Sequence, residues 1–177
     1  MSADPFVARP ESSEYAPFYA GYVARVPAGN FLELMAEGGR VTRDLVAGLD
    51  DAAALYRYAP GKWSIKEVLG HMADAERIFA YRALRFGRGD ETPLAGFEEN
   101  DYVPAGRFDA RSVAELVAEL EVVRNGTISL FRHFDGADLA RFGTANEHPV
   151  SVRALGVILV GHEIHHRAIL AERYGLQ

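Results

Sequence analysis

Apolar positions recur with helical spacing in four long stretches, separated by segments rich in glycine and proline. The first covers residues 30–48, where Phe31, Leu34, Met35, Val41, Leu45 and Val46 follow a helical period and Asn30 stands at the N-cap. Gly38 and Gly39 weaken its middle. The second opens on Ser64 and Glu67, an S-x-x-E capping box in which each side chain satisfies a free backbone N–H of the other residue. Trp63 and Val68 stand at hydrophobic-staple positions around it, and Gly87 and Gly89 end the helix after Phe86. A second capping box, Ser112 with Glu115, opens the third helix, which reaches toward Phe134 with Gly126 inside it. Ser151 caps the fourth, which ends near Tyr174 with Gly175 as its stop.

The intervening segments are read as connections. Residues 1–14 are polar, carry Pro5 and Pro10, and read as an extended N-terminal arm. Residues 15–27 are aromatic-rich and close on Pro27, as a short helix or an ordered lead-in. Residues 51–62 and 135–150 are joining segments. The stretch 88–110, with three glycines, Pro93 and Pro104, is a long loop of the kind that often carries function. No strand-like run with turn punctuation competes with the helices. The expected fold is all-α: one four-helix bundle over residues 15–175, preceded by the arm over 1–14.

Composition narrows the chemistry. There is no cysteine, so a metal would have to sit on histidine and carboxylate. The net charge is −6 and no basic run is present, which argues against a nucleic-acid partner. No stretch reaches the roughly 18 unbroken apolar residues of a membrane span. The N-terminus lacks a basic start followed by an apolar run, so a cytoplasmic protein is expected.

The last helix carries Gly-His-Glu-Ile-His-His over residues 161–166. His162 and His166 lie one turn apart and about 40° from each other around the helix axis. Leu155, Ile158, Leu159 and Ile169 fall within about 60° of His162, so both imidazoles belong to an inward apolar stripe. Neutral imidazoles in a dry core need partners for their nitrogens, and a shared metal ion supplies one. His71, in apolar company on the second helix, is the third candidate. Two ligands from one helix and one from another leave coordination positions open, as in catalytic sites.

Other polar residues are weaker candidates. Asp74, Glu163 and His165 stand near these positions and are read as candidates for orienting a ligand or moving a proton. For Asp74 an ion pair with Arg77 or Arg82 is the plainer role, and for Glu163 and His165 a helix–helix or subunit contact weighs equally. Asn100 and Tyr102, in the loop 88–110, are candidates for the mouth of a pocket. His133 sits near a helix end and His148 precedes Pro149 in a connection, so neither is expected in the site. The segment also matches H-E-x-x-H, in which Glu163 would be the general base of a zinc protease. The extended form of that motif wants Gly and His where Ile169 and Glu172 stand, and only 11 residues follow His166.

Residues 56–90 (YRYAPGKWSIKEVLGHMADAERIFAYRALRFGRGD) together with 161–175 (GHEIHHRAILAERYG) resemble the DinB/YfiT-like family of metal-dependent proteins. The resemblance implies a four-helix bundle, often a homodimer. It implies a metal held by one histidine of the second helix and an H-x3-H pair of the last, here His71, His162 and His166. It also implies thiol-dependent transfer chemistry in some relatives, with a low-molecular-weight thiol as co-substrate.

Two function classes follow. In the first, one divalent ion per chain, zinc by preference and nickel next, activates a thiol or water for attack on a small-molecule substrate, as in an S-transferase or hydrolase. In the second, the metal site serves binding or sensing in a stress response, without turnover.

Overall fold

The computed structural model describes residues 4–177, so the first three residues of the expected arm lie outside the described residues. The helices are α1 (Ala20–Arg25), α2 (Phe31–Leu45), α3 (Ile65–Gly87), α4 (Glu99–Gly106), α5 (Val113–Arg132), α6 (Gly136–Leu139) and α7 (Val152–Tyr174). Between α6 and α7 lie two strands, β1 (Phe142–Ala145) and β2 (His148–Ser151). The long helices α2, α3, α5 and α7 form the four-helix bundle. Around the bundle each helix packs on two neighbours in the order α2, α5, α3, α7, so α2 faces α3 and α5 faces α7 across the diagonals. The short α1 lies on α7. No helix among the described residues is long and apolar enough to cross a membrane.

The caps form as the sequence requires. Ser64 Oγ accepts from the Glu67 N–H at 3.0 Å while Glu67 accepts from the Ser64 N–H at 2.8 Å. Ser112 and Glu115 repeat the exchange, and the Asn30 side chain accepts from the Leu32 N–H at 2.9 Å. Each such cap satisfies a donor that the first helical turn leaves free, worth about 1 kcal/mol.

Two expectations are corrected. Residues 135–150 are more than a connection: α6 is followed by an antiparallel hairpin pairing Phe142 with Ser151 and Ala145 with His148. Its two-residue turn puts Asn146 and Glu147 at positive φ, which suits the right-handed twist of the strands. Asn146-Glu147 is a poor sequence signal for such a turn, and Pro149 inside β2 argues against a strand by propensity alone. Packing overrides both, because Ala145 and Val150 are buried and Gly143 lies so close to the Phe86 ring that no Cβ would fit. The long loop 88–110 in turn contains α4, and Leu94 pairs with β1 through its N–H to Thr144 O at 2.9 Å.

The described part of the arm is docked on the bundle. Arg9 donates to Val23 O and Val26 O at 2.7 and 2.9 Å, and Phe6 packs edge-on against Phe31. Glu14 is buried, accepting from Ser151 Oγ at 2.6 Å and forming an ion pair with Arg153.

The apolar core is in two parts. One gathers Phe31, Met35, Phe79, Phe86, Phe131, Leu155 and Ile158, and the other Ile65, Leu69, Met72, Leu116 and Leu170. On α3, α5 and α7 six of the buried polar residues stand near the junction of these two groups. His71 and Glu76, Arg124, and His162, Glu163 and His166 therefore form a polar layer across the middle of the bundle.

Candidate metal centre

Two elements make the site. α3 presents His71, and α7 presents His162 and His166 one turn apart, all three buried. The Nε2 of His162 lies 3.1 Å from the Nε2 of His71 and 3.1 Å from that of His166. One ligand atom from each of the three residues falls within 4.8 Å of the others. The α3–α7 packing decides this meeting, and residue spacing along α7 supplies only half of it.

Three neutral imidazoles cannot satisfy one another in this arrangement. A ring nitrogen either donates one proton or accepts on one lone pair, so His162 Nε2 can serve one neighbour and not both. The Nδ1 of His166 is also buried without a hydrogen-bond partner. Burial pushes the His71 imidazole down to about 4, and burial together with the neighbouring histidines holds His162 and His166 well below the ordinary histidine value. At neutral pH all three are therefore uncharged, the state in which nitrogen lone pairs ligate a cation. The donor set, three imidazole nitrogens converging from two helices, fits a divalent ion.

Aromatic rings wall the cluster. Trp63 lies against His71 with centroids 4.8 Å apart, and Tyr22 stands edge-on to His162 at 5.5 Å and to His165 at 5.3 Å. Gly161 permits the last contact, since a Cβ there would run into the Tyr22 carbonyl. Two clefts reach the cluster. One of 280 Å³ is lined by His71 and His162 with Tyr22, Phe79 and Arg82. The other, of 230 Å³, is lined by His166 with Trp63, Tyr58, Lys62, Asn100 and Tyr174.

The remaining candidates are placed differently. Asn100 stands on the second cleft. Tyr102 lines neither; it is exposed and packs on Phe97, which belongs to the wall of the first. His165 is half-buried beside Tyr22, with its imidazole held low by burial and Arg25. Asp74 faces Arg77 at 3.5 Å, and burial raises its carboxyl. His133 bonds the Ser129 carbonyl, and the exposed His148 lies edge-on to Phe18; both stand apart from the cluster.

Glu163, although next to His162, turns to the other side of α7. Its oxygens accept from Thr42 Oγ1 at 2.6 Å and from Arg124 at 2.7 Å. Arg124 also grips Glu76 with two bonds of 2.8 Å and donates to the Met35 carbonyl at 2.5 Å. This one guanidinium thus ties α5 to α2, α3 and α7. The sequence signal for it was available: Arg124 continues the stripe of Leu116, Leu120, Thr127 and Phe131, and an arginine on a buried stripe requires an acidic partner. Tyr22 and Arg82 carried no comparable signal, because their approach depends on the packing of α1 and the folding of the loop after α3.

Among solved structures the chain is similar to YfiT from Bacillus subtilis, described as a probable metal-dependent hydrolase with an unusual four-helix bundle topology. That match has a TM-score of 0.71 at 19% identity and covers 93% of this chain and 95% of the other. At that identity the likeness concerns the fold. Among curated proteins no match is found. The model of the DinB superfamily matches residues 35–170, which include α3, α7 and all three histidines. The chain therefore belongs to the DinB superfamily.

Proposed function

We propose that the protein is a metal-dependent enzyme in which His71, His162 and His166 hold one divalent ion and a small-molecule substrate reaches it through a cleft. The observation that carries this reading is the convergence of three buried, neutral Nε2 atoms that cannot satisfy one another. When bound, the ion would supply Lewis-acid activation of a water or a thiol near neutral pH. The chain's own residues do the rest. Trp63 and Tyr22 pack on the imidazoles of His71 and His162 and hold their planes. Glu163, occupied by Thr42 and Arg124, holds α7 in place and is not free to accept a proton from substrate.

The description of YfiT as a probable metal-dependent hydrolase supports hydrolysis as the first activity to assay, and the family resemblance supports thiol transfer as the second. Zinc is favoured, with nickel next, because three imidazoles and no thiolate suit both. A homodimer is proposed on the resemblance alone. Tyr15, Tyr19 and Tyr22 pack on this chain's own core, which leaves Phe18 as the exposed ring of the lead-in.

The test is elemental analysis of the purified protein and of variants. Wild type and His133→Ala should carry about one divalent ion per chain, and His162→Ala should lose most of it. Full stoichiometric metal in His162→Ala would refute the site. A panel of esters, amides and thiol–electrophile pairs, run with and without added zinc, then separates catalysis from a binding or sensing role.

A further inference from the structure

The 280 Å³ cleft has two ends. Its floor is one face of α3, where His71, Ala75, Phe79 and Arg82 succeed one another. Arg82 stands 11 residues beyond His71, which on an ideal helix is about 16 Å along the axis and about 20° around it. Its side chain leans back toward the N-terminal end of α3, so the gap to the histidines is on the order of 10 Å. Ala75 leaves the space between them open.

Arg82 is 3% exposed. One of its N–H groups donates to the Ala95 carbonyl at 3.0 Å, and its guanidinium lies over the Phe79 ring at 5.6 Å. The neighbouring arginines of α3 have acidic partners, Arg77 with Glu119 and Arg85 with Asp90. Arg82 has no ion-pair partner among the described residues, although Glu99 lines the same cleft. A guanidinium stays charged in any protein, and a buried one without a counter-ion favours an anion. Its planar fork matches an oxyacid group. The Tyr19 phenol oxygen stands beside the guanidinium as an acceptor, which leaves its own O–H to face a ligand. One cation in a cleft that Glu99 also lines favours a single negative charge over a phosphate dianion.

We propose that this cleft binds an elongated monocarboxylate, its carboxylate gripped by Arg82 and its reacting group held at the histidine cluster. The inference deepens the reading of the cluster as a reaction centre and rests on it for the word substrate; the binding itself does not require the metal. Phe79 and Tyr22 supply the apolar walls for the chain between the two ends.

The test uses 4-phenylbutyrate and its amide as matched probes, titrated calorimetrically into the full-length protein, both chelator-treated and zinc-loaded. The acid should bind about tenfold or more tighter than the amide in both forms. Arg82→Gln should erase that preference while leaving the amide's affinity and the melting temperature in place. Equal binding of acid and amide to wild type overturns the proposal. So does a preference that survives in Arg82→Gln, or a variant that weakens both probes alike, which would make Arg82 a pin for the loop at Ala95. A preference seen only with zinc and kept by Arg82→Gln places the carboxylate on the ion, refuting this proposal while sparing the metal reading. A preference intact in a protein that never takes up metal does the reverse. Should Arg82→Gln fail to fold, the Arg82 Nε–H resonance of the wild type decides: it should shift with the acid and not with the amide, and no difference overturns the proposal.

Discussion

His162 and Glu163 are adjacent in sequence and both buried, yet they belong to opposite kinds of site. Glu163 enters a closed cluster in which Arg124, Glu76 and Thr42 meet each other's hydrogen-bonding needs across four helices. His162 enters an open cluster, where three nitrogens converge and the central one, its own Nε2, can serve only one of its two neighbours. The first is complete without help, and its role is to hold the bundle in register. The second leaves ring nitrogens unsatisfied and opens on clefts. In a buried polar layer, unmet valence marks the side on which a ligand is proposed.

The sharpest way to break this comparison is at Arg124. Arg124→Met leaves Glu76 buried without its counter-charge and Glu163 with only Thr42 and Arg167 at 3.9 Å, and should cost about 3–5 kcal/mol in urea unfolding. Converting both glutamates to glutamine in that background should recover part of the loss. A loss under about 1 kcal/mol would show that the closed cluster is not a structural tie.

Metal removal tests the open cluster. A ligand that binds only the folded state at a hundredfold excess over its dissociation constant stabilises it by about 2.7 kcal/mol. Chelator should lower the melting temperature of wild type while leaving it helical and cooperative, since caps and apolar faces hold the helices without the ion. His162→Ala should show no chelator effect. An unfolded metal-free protein would make the site structural, and an unchanged wild-type melt would remove the metal from the account.

Acid acts on the same groups with a definite sign. Burial lowers the folded His71 imidazole from 6.5 to about 4, so the unfolded chain takes up the proton first. The stability this histidine contributes is full above about pH 6.5 and is lost as pH falls from there toward 4. In metal-free protein the loss from His71 alone should be about 2 kcal/mol at pH 5. Replacing His71 with glutamine should flatten that part of the profile. An equally steep fall in the variant would assign the loss elsewhere.

The smallest effect is expected at His133, an exposed residue bonded to the Ser129 carbonyl. His133→Ala should change stability by no more than about 0.5 kcal/mol and leave metal content intact. A larger change in metal content would mean that the two sides of the polar layer are coupled through α5.

The four long helices and their caps were legible from the sequence because both signals are local. A capping box spans four residues, and an amphipathic stripe repeats every turn. The i, i+4 pair His162 and His166 was legible for the same reason, and His71 through its apolar company and the family resemblance. The hairpin was not, since Phe142–Ala145 and His148–Ser151 are short, end on an Asn-Glu turn and contain a proline, and form because Phe86 and Leu94 receive them. Nor was the divergence of neighbours on α7. Helical periodicity places His162 and Glu163 about 100° apart, but whether either meets a cation, a guanidinium or a cleft depends on which helix packs on that side. The diagonal arrangement, with α3 against one face of α7 and α2 against another, made that choice. Local propensity sets the helices and the residues each face presents, while long-range packing alone determines which faces meet and so which polar groups are left unsatisfied.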